Sequence, residues 1–214
     1  MAIKYLDAKR IRGLGGAGAT GWTLQNNTSG NSTITATIDD TTLDVGGTAT
    51  GNGTWYGVAT YDVGAANIDG AEWVLRFKLV TGTIAFGDGN ALWARIGLSE
   101  GTGTGESPSE DTFGLVVAAN SSAGKSYSSI EGNYSEDGAY AYVDTTHDPA
   151  TGQTIYVEIR RTAADTGTVK LFSNSDYSTG QLGNTASVSG LTNQQDFRYI
   201  KAHVFAQRPS ALPL

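Results

Sequence analysis

Trp73-Val74-Leu75-Arg76-Phe77-Lys78-Leu79-Val80 is the stretch on which the fold turns. Trp73, Leu75, Phe77 and Leu79 fall on one side of a strand, and Val74, Arg76 and Lys78 fall on the other. One face is apolar and the other mixed, so a second layer must cover the apolar side. The same alternation returns at Leu92, Ala94, Ile96 and Leu98, at Phe113, Leu115 and Val117, at Ile155, Val157 and Ile159, and at Val169 and Leu171. Residues 197–205 read as another long strand, and no segment reads as a long helix. The pattern predicts an all-β protein, a two-sheet antiparallel β-sandwich.

Working outward, the domain begins near Trp22, and residues 33–38 form a β-branched strand turned by Asp39 and Asp40. A further strand follows at 55–61, then a polar connection into 73–80. Residues 99–111 form a loop rich in glycine and acidic residues, and 113–118 a short buried strand. The polar stretch 120–138, with Tyr127, Ile130 and Tyr134 isolated in it, reads as weak edge strands, and 140–143 as one more strand. Residues 153–161 and 166–173 have the spacing of a hairpin, after which 174–180 leaves the sheet. Residues 208–214 cannot continue the last strand, because proline brings no donor to a ladder. Roughly twelve short strands with several long connections suit a jelly roll better than an immunoglobulin sandwich. The expected organisation is an arm and glycine-rich joint over 1–21, a sandwich over 22–206 and a tail over 207–214.

Glycine supplies 29 of 214 residues, roughly twice ordinary usage. It gathers with Thr, Ser, Asn and Asp between the apolar runs, where turns belong. Charged residues make up only 16%, so hydroxyls and amides supply much of the wetting. With no cysteine there is no disulfide and no thiolate chemistry. No stretch approaches bilayer-spanning length, and Lys4, Asp7, Lys9, Arg10 and Arg12 interrupt any secretory apolar region.

The net charge of -7 is unevenly placed. Residues 1–12 set Lys4, Lys9, Arg10 and Arg12 against Asp7, a balance of +3, so the remaining chain sums to -10. Ile3, Tyr5, Leu6 and Ile11 add apolar anchors, so the arm reads as an element that docks on an acidic neighbour, including a second copy. Four cations on an acidic body make a poor nucleic-acid footprint. Residues 13–21 superficially have the glycines of a phosphate loop, but no strand is expected before them, no Gly-Lys-Ser/Thr ends them and no helix follows.

Catalytic chemistry finds little support. A retaining glycosidase needs two carboxylates about 5–5.5 Å apart, and no strand face offers such a pair. Glu158, between Tyr156 and Arg160, reads as an outward-facing ion pair with Arg160 and Arg76. His147 and His203 are too separated to suggest zinc. Oxygen-rich turns at Asp62, Asp69, Asp88 and Asp137 have the ligand chemistry of calcium, although none matches an EF-hand and each is also an ordinary turn former. Tyr127, Tyr134, Tyr140, Tyr142 and Tyr177 are the rings that could stack on sugars, unless half-buried at a sheet edge.

Through 73–79, 95–99, 156–162 and 169–172, the body resembles the concanavalin A-like lectin/glucanase superfamily, laminin-G-type modules included. The resemblance implies a jelly-roll fold and, in different members, glycan binding, glycan cleavage or a structural role. The chain departs from the hydrolase branch in lacking Glu-x-Asp-x-x-Glu on one strand. Residues 2–13 are similar to leaders on structural proteins of environmental phages and viruses, which implies an assembly element. The expectation is a non-enzymatic structural subunit of a virus-like particle or surface assembly, at a virion or extracellular particle surface, whose partners are itself or other particle proteins. The alternative is a glycan-binding module whose partners are cell-surface glycans.

Overall fold

A computed structural model describes residues 4–7, 21–27, 35–38, 43–46, 53–64, 72–82, 91–103, 110–122, 125–136, 139–163, 165–190 and 197–208. Fourteen strands appear among them: β1 (Lys4–Asp7), β2 (Trp22–Asn27), β3 (Thr35–Ile38), β4 (Leu43–Gly46), β5 (Gly53–Asp62), β6 (Trp73–Val80), β7 (Ala91–Ser99), β8 (Thr112–Ser122), β9 (Lys125–Glu136), β10 (Ala139–Asp144), β11 (Thr154–Ala163), β12 (Thr166–Phe172), β13 (Gln181–Ser189) and β14 (Tyr199–Arg208). One sheet runs β1-β6-β11-β12-β13, the other β10-β9-β8-β7-β14-β5-β2, and β3 with β4 forms a separate hairpin. Apart from β1, which is parallel to β6, all the pairings are antiparallel. The architecture is an all-β, two-sheet sandwich consistent with a concanavalin A-like jelly roll.

The alternation read in the sequence becomes the core. Trp73 and Leu75 of β6, Val157 and Ile159 of β11, and Val169 and Leu171 of β12 are buried and meet Leu98, Phe113, Leu115, Ile130 and Ile200 from the seven-stranded sheet. At its centre the Trp73 ring meets Phe113 edge-on at 5.6 Å and Phe197 at 6.1 Å, geometries that align ring edges with ring faces. Gly167 of β12 lies over the Phe113 ring, where an added Cβ would stand within 3 Å of three ring atoms. Glycine lets the sheets close over an aromatic at this point.

Four elements differ from the sequence expectation. Residues 125–136 form a strand with β8 on one side and β10 on the other, not weak edge strands, because polar side chains can alternate on a solvent-facing sheet surface. Strand β13 was not foreseen: its apolar positions, Ala186 and Val188 among them, are small and dispersed, and it takes its register from β12. Arg208 is still within β14, three residues beyond the expected end of the strand at 205, and 209–214 lie outside the described residues. The arm does contain a strand, β1, ahead of the glycine-rich joint, so one of the reasons for rejecting a phosphate loop fails. The missing Gly-Lys-Ser/Thr still excludes it. Ile3, Lys9, Arg10, Ile11 and Arg12 lie outside the described residues.

Candidate functional site

The outward face of the seven-stranded sheet is built from residues of opposite parity to the core. One cross-strand ladder runs Tyr142–Asn133–Gly114–Gly97–Lys201–Thr60–Thr23, from β10 to β2. A second, two residues away along the strands, runs Tyr140–Ser135–Thr112–Ser99–Tyr199. A third, on the other side of the first, carries Asp144, Glu131, Val116, Arg95 and His203. Strand alternation thus presents an aromatic wall on β10, a glycine floor on β7 and β8, and a wall of Lys201 and His203 on β14.

The floor needs glycine on both strands. A Cβ on Gly97 would collide with the Phe113 carbonyl and stand 2.6 Å from the Gly114 Cα, and one on Gly114 would meet the Ile96 carbonyl and the Gly97 Cα at 2.7 Å. Without side chains there, a small cleft opens above the two buried glycines. Arg95, Glu110, Asn133, Tyr140, Lys201 and His203 line it.

The walls are held by contacts within the site. Tyr140 and Tyr142 stack with centroids 6.5 Å apart and planes 7° apart. Arg95 donates from Nη2 to the Tyr142 Oη at 2.9 Å, and its guanidinium lies 5.5 Å from the Tyr140 ring. Tyr142 remains 46% exposed, a large ring presented to solvent. Opposite, the Lys201 ammonium donates to Glu110 Oε2 at 2.6 Å, with both side chains buried. Glu110 arrives at the end of the loop after β7. The loop's neck is closed by the Glu100 N–H donating to the Asp111 carbonyl and the Asp111 N–H donating to Glu100 Oε1, both at 3.1 Å. The Gly103 N–H donates to Glu110 Oε1, and Ser135 Oγ to the Glu110 carbonyl, which aims the carboxylate at Lys201. Burial pushes the Lys201 ammonium below its usual range, while the charge and hydrogen bond of Glu110 oppose that shift.

Of the tyrosines singled out from sequence, Tyr140 and Tyr142 come together here. Tyr134 points the other way and packs against the core, and Tyr177 lies over the five-stranded sheet, edge-on to Tyr156 at 5.9 Å and Phe172 at 6.3 Å. Tyr127 stands in β9 opposite Asn120. Glu158 does pair with Arg76, whose Nε donates to it at 2.8 Å, and with Arg160, but the carboxylate is buried, with Arg76 also under the Tyr177 ring. Asp62 gives both oxygens to Arg198 at 2.6–3.0 Å and accepts the Gly64 N–H. Asp69, Asp88 and Asp137 lie outside the described residues, among which no group of three His, Cys, Asp or Glu could hold a metal. Sequence reading passed over Arg95, Glu110, Asn133 and Lys201. The alternation of Lys201 and His203 with Ile200, Ala202 and Val204 was the available signal for one wall, but nothing local paired it with Glu110.

As to chemistry, Glu110 is the one carboxylate among the described residues that line the cleft, and it is bound to Lys201. The arrangement offers a flat ring, fixed donors and fixed acceptors around a small floor.

No protein-family model and no curated protein sequence matches this chain. Among solved structures it is similar to a legume lectin-like domain from Entamoeba histolytica, at 11% identity over 89% of this chain and 83% of that one, with a TM-score of 0.41. A protein of unknown function from Shewanella oneidensis MR-1 aligns at 14% identity over 91% of this chain and 81% of that one, TM-score 0.39. A toad ovary galectin in complex with thio-digalactose aligns at 12% identity over 61% of this chain and 90% of that one, TM-score 0.28.

Proposed function

We propose that the protein is a non-enzymatic, lectin-like β-sandwich that binds a saccharide on the outward face of its seven-stranded sheet. The observation that carries the reading is the ladder Tyr142–Asn133–Gly114–Gly97–Lys201. Its exposed ring can cover the apolar face of a sugar, and the polar side chains around the cleft can meet its hydroxyls. Arg95 holds the ring in place through the Tyr142 hydroxyl, so part of the ordering cost of binding is met in advance. The test is a glycan array on the full-length protein, followed by titration of the best saccharide against Tyr142→Ala. We expect at least a tenfold loss of affinity with only a small loss of thermal stability, since Tyr142 is nearly half exposed. Binding unaffected by that substitution, or no saccharide bound at all, refutes the reading.

A second reading is favoured by a different observation, the pairing of β1 with β6. It makes the arm a strand-forming element, which the sequence did not foresee and which supports the reading of a structural subunit that docks through its arm into a virus-like particle or surface assembly. Such a subunit could carry the saccharide site outward on the particle. Solution mass of the full-length protein beside a version lacking residues 1–14 tests it, and equal monomeric masses with equal stability count against self-assembly through the arm.

A further inference from the structure

Strand β1 adds only four residues to the edge of the five-stranded sheet, with Lys4, Tyr5, Leu6 and Asp7 opposite Trp73, Val74, Leu75 and Arg76. Beyond Arg76 no described strand continues that edge, although β6 runs on to Val80 and is held on its other side by β11. The burial of β6 follows this division: Trp73, Val74 and Leu75 are buried, whereas Lys78 and Val80 are exposed.

Three features bear on which chain supplies β1. A parallel partner cannot come from a tight hairpin and must arrive by a crossover. The connection from Asp7 to Trp22 has fourteen residues, five of them glycine, and extended it reaches about 46 Å. Strand β2, where it ends, is the edge of the facing sheet, and packed sheets lie about 10 Å apart. The connection is therefore several times longer than the gap between sheets, and nothing in its length confines β1 to its own body. A four-residue edge strand is also the element most readily released by local opening.

We infer that β1 exchanges between copies of this chain, the arm of one molecule pairing with β6 of a second and the reverse, to give a two-fold dimer. The occupant is named by the structure itself, since the register that seats Lys4–Asp7 on Trp73–Arg76 is the same in either chain. Arm and body also differ in sign, +3 against -10, which favours their encounter in either arrangement. Because the contacts are identical, concentration decides between the two forms. A tethered arm competes at an effective concentration on the order of millimolar, so exchange grows as the protein approaches that range, as it does when copies are crowded on a surface. The inference rests on the assembly reading in taking the arm as the docking element, and specifies its partner as a second copy.

The chain has no cysteine, so labels can be placed singly. One pool of full-length protein takes a donor dye at Ala8→Cys, just beyond β1. The other takes an acceptor at Gly82→Cys, just beyond β6, where a Cβ meets nothing within 4 Å. In an exchanged pair Asp7 stands opposite Arg76, six residues before Gly82, so the two labels lie within about 20 Å along an extended strand. Mixing from 0.05 to about 2 mM should produce energy transfer that rises with concentration. Alternate residues of a strand donate to one neighbour, so either Tyr5→Pro or Leu6→Pro in the donor chain removes a β1–β6 hydrogen bond and should abolish the transfer. A donor chain lacking residues 1–7 keeps the label site and removes β1 outright, which covers the failure of the effective variant to fold. Absence of transfer across the range, or transfer that survives both proline substitutions, overturns the inference. A raised solution mass together with proline-insensitive transfer would leave assembly standing through another surface while exchange of β1 falls.

Discussion

Replacing Glu110 by alanine leaves the Lys201 ammonium where water cannot fully solvate it. The lysine side chain is 8% exposed and the glutamate 9%, which puts the pair in the buried class rather than among surface ion pairs. Their contact of 2.6 Å is the one hydrogen bond from Lys201 Nζ among those described. Removing one partner of such a pair costs about 3–5 kcal/mol, mostly the penalty of the charge left behind, and the cleft's open mouth favours the low end, near 3. With a urea m-value of about 2–3 kcal/mol/M, the midpoint of unfolding should fall by roughly 1 to 1.5 M. The sign with pH is also set. Burial already lowers the Lys201 pKa, and Glu110 is what raises it, so the variant's lysine must titrate lower still. Between that lowered value and the unfolded lysine value of about 10.4, the unfolded chain binds more protons than the folded one. The variant's stability therefore climbs as pH rises through this window, and more steeply than the wild type's. Urea melts of wild type, Glu110→Ala and the double variant Glu110→Leu/Lys201→Met, at pH 7 and 9.5, measure all of this. The double variant should lie within about 1 kcal/mol of wild type, since it buries no charge. A loss in Glu110→Ala below about 1 kcal/mol, equal at both pH values, would refute the account of the cleft as held by a desolvated pair.

Other outcomes follow from the same structure. Gly167→Ala pushes a methyl into the Phe113 ring at the centre of the core and should cost about 1–3 kcal/mol, read as a lowered Tm; Phe113→Leu in the same chain should recover part of it. Gly183 has φ +62°, and a Cβ there would run into the Thr145 carbonyl that accepts the Asn184 N–H, so Gly183→Ala should weaken protection of the Asn184 amide in hydrogen exchange. Asp176 accepts hydrogen bonds from the Thr179 hydroxyl and from the Ser178 and Thr179 N–H groups, which lower its pKa to about 2. Its contribution to the 174–180 turn is full above the unfolded value near 3.9 and lost as pH falls through about 2, so a carboxyl NMR titration with a midpoint near 4 contradicts it.

Period-two alternation determined the fold class without any tertiary information. Burial requires apolar side chains on one face of each strand, and that demand is written locally at 73–79, 155–159 and 169–171. The hairpin of β11 and β12 was legible for a similar reason, because its turn and both strands are contiguous. Tyr140 and Tyr142 stand among five tyrosines offered as binding rings, and their spacing of two on one strand, which puts both on one face, is the local signal that sets this pair apart.

What the tertiary structure alone decided is which strands lie side by side. Lys201 and Gly97 are 104 positions apart, yet their pairing brings Lys201 beside the glycine floor, and a loop closed at its neck carries Glu110 to Lys201. Gly97 and Gly114 each look like ordinary turn or strand glycines until the register sets them opposite one another. Strand β1 has no visible partner in its own neighbourhood, because a parallel pairing is made to a strand far along the chain. Alternation is a local property of a strand, whereas register and sheet order depend on the summed fit of distant faces; the sandwich was therefore written in the sequence, and the cleft came into being only when the strands were laid in order.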